Sequence, residues 1–295
     1  MKIFYCDQFV LPLPEGHRFP MAKYARLRQR VEADRLAPMA VPAPVSLEAL
    51  RLVHDPDYVD GIVAGTLDPM DLRRIGFPWS PAMVERSRRS VGATVEACRF
   101  ALQAGYGVNL AGGTHHAGVA QGGGYCVFND AAVAARIMQR EGRARRVMVV
   151  DLDVHHGNGT AEIFAHDDSV YTFSMHGERN YPARKPPSDI DIPLPDGTTD
   201  IDYLVALQDG LSAAFERFSP DLVIYLAGAD PYEGDRLGRL KLSKSGLLQR
   251  DQMVLYYAGR TPVAVCMAGG YADDVDDTVA IHHQTVAIIA QQKRA

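Results

Sequence analysis

Short apolar, β-branched runs recur along this chain, at residues 2–6, 107–110, 147–151, 170–173, 222–227 and 263–267, and each has the length of a buried strand. Between them lie amphipathic stretches with apolar residues near helical spacing, at 80–104, 131–141, 203–218 and 247–258. Strands alternating with helices imply right-handed crossovers. The predicted fold is therefore a three-layer α/β/α sandwich with a mostly parallel central sheet covered on both faces. With 47% hydrophobic residues and no Ser/Gly-rich linker or charge block, the 295 residues read as one domain, 1–295. The proline-rich stretch 179–195 reads as a long ordered loop on a pocket rim.

Five of the six candidate strands run at their C-terminal ends into residues rich in Gly, His and Asp: 112–116, 151–159, 174–177, 228–230 and 269–271. Parallel sheets bind ligands outside those strand ends, so the turns are expected to converge on one site. Turn formation explains the glycines but not the paired histidines.

Among these turns, VVDLDVHHGNG at residues 149–159 is the most informative. If strand geometry persists through His155, then Asp151, Asp153 and His155 share a face, and two carboxylates on one face require a cation. Asp230, after the run 222–227, supplies a third ligand beside Asp153 and His155. Three protein ligands leave an open position, as in catalytic zinc sites, although an oxygen-rich set also suits Fe2+ or Co2+. The plainer alternative makes Asp153 and His155 a surface ion pair or a helix cap, and Asp230 a turn residue. His115 and His116, on the turn after the run 107–110, have the chemistry of proton carriers near neutral pH. Tyr271 after Gly269-Gly270 offers a hydroxyl to a developing oxyanion. The turn containing Gly124 and Tyr125 suits close approach of a narrow substrate. His282-His283 lacks such neighbours and reads as structural or exposed.

The formal net charge of −5 speaks against direct nucleic-acid binding through a basic face, and the basic runs 86–89 and 143–146 read as solvated helix surface. Cys6, Cys98, Cys126 and Cys266 form no Cys-x-x-Cys pair, so a reducing, cytoplasmic location is expected. The first fourteen residues are unlike a signal peptide, and no apolar segment has the length of a membrane span. Oligomeric state is not legible.

The ordered motifs GGTHHA, GGGYCVFND, DLDVHHGNGT, FSMH, LAGADP and AGGY, from residue 112 to 271, resemble the histone deacetylase-like family, and RRIGFPWS at 73–80 is most similar to its class IV branch. The resemblance implies the arginase/deacetylase fold and a zinc-dependent amidohydrolase that removes acetyl or longer acyl groups from lysine. It implies Asp153, His155 and Asp230 as zinc ligands, His116 as general base and acid, and His115 as its electrostatic partner. Asp151 would orient His115, Asn158 would orient His116, and Tyr271 would polarise the scissile carbonyl. Asn158 stands where some branches carry Asp, so His116 is expected to be the readier base. A structural K+ is implied at Asp151, Asp153, His155, Ser174 and Met175. Gly124, Tyr125 and Tyr181 would line an acyl-lysine tunnel with Leu237 near its inner end. The related arginases use two metals, but Gly157 and Tyr232 replace the acids a second one requires. Partners would be an acyl-lysine protein or peptide, or an acetylated small amine such as an N-acetylpolyamine. A non-catalytic acyl-lysine-binding scaffold is the remaining alternative.

Overall fold

The computed structural model describes residues 1–292. Its strands are β1 (Lys2–Phe4), β2 (Met39–Ala40), β3 (Tyr106–Asn109), β4 (Val147–Asp151), β5 (Val170–Gly177), β6 (Ile190–Leu194), β7 (Leu222–Leu226) and β8 (Val263–Cys266). Its helices are α1 (Ala22–Ala33), α2 (Leu47–Leu50), α3 (Pro56–Ala64), α4 (Pro69–Ile75), α5 (Pro81–Ala104), α6 (Asp130–Arg140), α7 (Asn158–Phe164), α8 (Asp200–Arg217), α9 (Lys244–Ala258) and α10 (Val275–Gln291). Among the described residues the strands form one eight-stranded sheet in the order β2-β1-β3-β8-β7-β4-β5-β6. Every pairing is parallel, as the alternation of strand and helix requires.

Period-two alternation divides the apolar runs between two cores. Val147 and Val149 of β4 join Leu222, Ile224 and Leu226 of β7 under α5, α6 and the short α2 and α3. Met148 and Val150 join Val223 and Tyr225 on the opposite face, under α1, α8, α9 and α10. Burial of each such branched side chain contributes roughly 1.5–3 kcal/mol, which is why the central strands are apolar throughout. The helices start where the chain offers a cap: Ser80 accepts from Met83 N at α5, Asn129 from Ala132 N at α6, and Ser243 from Gly246 N at α9. No helix among the described residues is long and apolar enough to cross a membrane.

Three local expectations are corrected. The stretch 179–195 is not all loop: it contains β6, paired in parallel to β5 with Phe173 opposite Ile190. Pro193 is tolerated because β6 is an edge strand, and the prolines hid its alternating pattern. Pairing to β6 also keeps residues 174–177, expected as a turn, in strand conformation to Gly177. The run 86–89 is not simply solvated. Arg86 is buried, donating to the carbonyls of Cys6 and Phe9, while Arg88 and Arg89 donate to those of Val45 and Pro42.

Candidate active site

The C-terminal ends of β3, β4, β7 and β8 bring their turns together above the middle of the sheet. Asp153 and His155 follow β4, and Asp230 follows β7. One ligand atom from each lies within 4.8 Å of the others. His155 Nδ1 is 2.9 Å from Asp153 Oδ1 and 3.3 Å from Asp230 Oδ2. The carboxylates are oriented by backbone amides: Val154 N donates to Asp230 Oδ1, and Gly269 N donates to Asp153 Oδ2. Gly269 is obligatory here, because a Cβ would come within 2.0 Å of Asp230 Oδ2.

These residues fit a divalent cation. Asp230 Oδ2 is buried without a hydrogen bond of acceptable geometry, although two carboxylates and an imidazole share one pocket. Burial and the neighbouring Asp153 charge raise the Asp230 pKa to about 7. Against the opposing effect of burial, Asp153 and Asp230 push the His155 pKa up to about 10. Both shifts express an excess of buried negative charge that a divalent cation would balance. Gly157 and Tyr232 add no carboxylate. A Cβ on Gly157 would meet Asp151, and Tyr232 turns its hydroxyl to Asp277.

His115 and His116 lie against this trio with ring centroids 4.1 Å apart. His115 Nδ1 is 2.6 Å from Asp151 Oδ2, and His116 Nδ1 is 2.6 Å from Asn158 Oδ1. Burial opposes a charge on His115, but Asp151 and Asp153 outweigh it and raise the pKa to about 9. His116 falls well below the usual imidazole range through burial and then through its neighbours His115 and His155. The Asn158 carbonyl accepts from Nδ1, which leaves Nε2 free to take a proton.

Tyr271 follows β8, buried, with its ring centroid 6.5 Å from that of His155 and 6.0 Å from that of Tyr125. A cavity of about 430 Å³ leads down to His116, His155 and Tyr271. Gly124, Tyr125, Tyr181 and Leu237 all line it. Tyr181 stands edge-on to His116 at 4.8 Å. Gly124 is required because a Cβ would reach His116 Cδ2 at 2.4 Å, and its φ is +51°. Tyr125 itself has φ +67°, strain held by its N–H donating to the Ile75 carbonyl. A larger groove of about 720 Å³ between α2, α5 and α6 gathers no comparable chemistry. Ser174 is the register partner of Asp151, which puts two of the implied K+ residues side by side, with Asp153, His155 and Met175 close in sequence.

Several buried residues that hold the site escaped the sequence. Asp130 accepts from Gly113 N, Thr114 N and both the Thr94 and Thr114 hydroxyls, fixing the turn that carries the two histidines. Asp235 accepts from Tyr271 N at 2.6 Å and from Leu237 N and Gly238 N. Arg250 donates to the Gly228 and Leu152 carbonyls beside the turns that carry Asp153 and Asp230, and pairs with Asp251. Lys23 is buried, donating to the Ala268 and Gly270 carbonyls, with its ammonium 5.2 Å from the Tyr271 ring centre. Beside the site, His156 pairs with Asp191 at 3.0 Å and packs edge-on against His176, tying β4 to the sheet edge. Asp130, the last residue of GGGYCVFND, and His156, within DLDVHHGNGT, lay inside visible motifs. The others sit in helices or loops whose local pattern announces nothing.

Comparison with known proteins bears on the family and the fold. A model of the histone deacetylase domain matches residues 17–287. Histone deacetylase 2 of Arabidopsis thaliana is 31% identical over 270 residues, covering 86% of this chain and 70% of its own. An uncharacterised protein of Picosynechococcus sp. is 45% identical over 285 residues, 95% of each chain. The crystal structure of a histone deacetylase homologue from Aquifex aeolicus superposes with a TM-score of 0.86 at 24% identity, covering 99% of this chain and 84% of that one, which shows the shared fold. With a family model spanning nearly the whole chain and relatives matched along most of their length, this protein belongs to the histone deacetylase-like family.

Proposed function

We propose that the protein hydrolyses the amide of acylated lysine side chains. The observation that carries this is that the clustered Asp153–His155–Asp230 trio lies against His115 and His116, with His116, His155 and Tyr271 all lining one cavity. A divalent metal such as zinc, held by those three ligands, would polarise the acyl carbonyl and lower the pKa of the attacking water. His116 Nε2 accepts the proton of that water as it attacks. The same burial and the cationic His115 that keep His116 neutral make its protonated form a strong acid, so the proton passes readily to the leaving amine. The Tyr271 hydroxyl donates to the developing oxyanion, and Asp235 fixes its backbone for that contact. His115, holding its proton against Asp151, stabilises negative charge in the same pocket. We further propose that Asp151, Asp153, His155, Ser174 and Met175 would hold a structural K+.

The cavity mouth favours lysine over a polyamine. Its lining includes Arg73, Arg74, Arg179 and Arg239 and no carboxylate, a surface that repels a polycation. Metal-loaded protein, its metal content measured on the same sample, should cleave acetyl-lysine or longer acyl-lysine peptides in preference to N-acetylpolyamines. Faster turnover of the polyamine would overturn the lysine assignment. Tight peptide binding without product would overturn the catalytic one.

A further inference from the structure

The mouth of the cavity carries a charge opposite to that of the molecule. The chain has a net charge of −5, yet four arginines and no acid line this opening. They stand on two separately braced segments. Arg73 and Arg74 end α4, where the Arg74 and Ile75 carbonyls accept from Gly124 N and Tyr125 N. Arg179 and Arg239 lie on loops stitched by buried Asn180, whose Nδ2 donates to the Leu237 carbonyl and whose Oδ1 accepts from Arg239 N.

The acids nearby do not neutralise this set. Asp71 pairs with Arg74 at 3.1 Å, and Gln121 accepts from the same guanidinium. Asp196 serves two arginines, Arg239 at 3.2 Å and Arg179 only at 3.9 Å. Arg73 makes no ion pair or hydrogen bond among the described residues and is exposed, and the Arg179 side chain is 73% exposed. Guanidinium groups held on braced backbone but short of partners are suited to bidentate recognition of carboxylate or phosphate.

We infer that this rim is an anion-recognition surface selecting acyl-lysine peptides with carboxylate or phosphate groups beside the acylated residue. The inference rests on the deacylase reading for its substrate, but its test does not depend on turnover. Four acetyl-lysine peptides differing only in flanking residues (Asp, phosphoserine, Ala or Lys) are compared by kcat/KM and, as labelled peptides, by anisotropy.

A few exposed charge contacts of ordinary strength amount to about a tenfold preference for the anionic over the Lys-flanked peptide. The preference is expected in KM and Kd rather than kcat, and it should shrink in high salt. In an Arg73→Glu/Arg179→Glu variant, both positions being exposed, the ranking should collapse or invert. A gain confined to phosphoserine also supports the rim and identifies phosphate as its ligand. Equal binding of all four peptides, or a ranking the double variant leaves intact, would overturn it. Ranked binding without cleavage would overturn the deacylase reading and keep this one.

Discussion

His115 and His116 are adjacent in sequence and in space, yet they hold protons in opposite ways. The Asp151 carboxylate beside His115 lifts its pKa to about 9, whereas His116 faces the neutral Asn158 amide and is driven down by burial and by two cationic imidazoles. Residue type therefore decides nothing here. A charge delivered by β4 to one ring, and an amide delivered by α7 to the other, divide one dipeptide into a fixed cation and a free base.

The largest effect expected from this division is on turnover. His116→Ala should reduce kcat about a thousandfold with metal content and fold retained, because it removes the proton carrier. His115→Ala should cost less, roughly ten- to hundredfold, because it removes a supporting charge. Single-turnover rates on an acetyl-lysine peptide check both, and equal losses would abolish the distinction.

A third buried histidine sharpens the contrast on stability. His54 has only neutral partners: its Nδ1 donates to the Gly118 carbonyl, and its Nε2 accepts from Asn129 N. Burial pushes its pKa down from 6.5 to about 4. Between those values the unfolded chain binds the proton and the folded chain does not, so stability is complete above pH 6.5 and is lost as pH falls towards 4. The loss attributable to this residue is about 3 kcal/mol. Denaturant melts of wild type and His54→Gln at neutral and acid pH should converge as pH drops. Parallel curves would place the acid sensitivity elsewhere.

His115 and His116 ride on one turn, and Asp130 accepts three hydrogen bonds from that turn and a fourth from Thr94 of α5. Asp130→Asn keeps one acceptor and should cost about 2 kcal/mol of stability. It should also lower kcat about tenfold while the pH–rate profile keeps its shape, because the turn loosens around both rings alike. A changed profile would show that Asp130 acts on one ring electrostatically.

How far these features could be read in advance follows from where their signal lies. The sheet was legible because β4 up to Val150, β7 and β8 are buried on both faces and so apolar in nearly every residue, while β2 is too short and β6 too interrupted by proline to show a period. Asp153, His155, Asp230, His115, His116 and Tyr271 stood out because unusual side chains cluster at strand ends. Arg250 and Asp235 did not, because a buried charge that braces a turn from a distant helix or loop depends on tertiary contacts absent from local sequence. The arginine rim was hidden likewise, its members 166 positions apart in the chain from Arg73 to Arg239 and joined only by folding.

The smallest predicted change tests the division of the histidines most directly. Asn158→Asp puts a carboxylate where the amide oxygen now lies 2.6 Å from His116 Nδ1, with little change in shape. The new charge favours protonated His116 and should move the acid limb of kcat/KM upward by about one pH unit. On the acid side the rate then falls, because less His116 is free to accept a proton. On the alkaline side it changes little, because the stronger base that gains at the attack is a weaker acid towards the leaving amine. A full pH–rate profile on one acetyl-lysine peptide reads this shift. An unmoved acid limb would mean that a group other than His116 takes the proton, and the contrast between the two imidazoles would then be structural rather than catalytic.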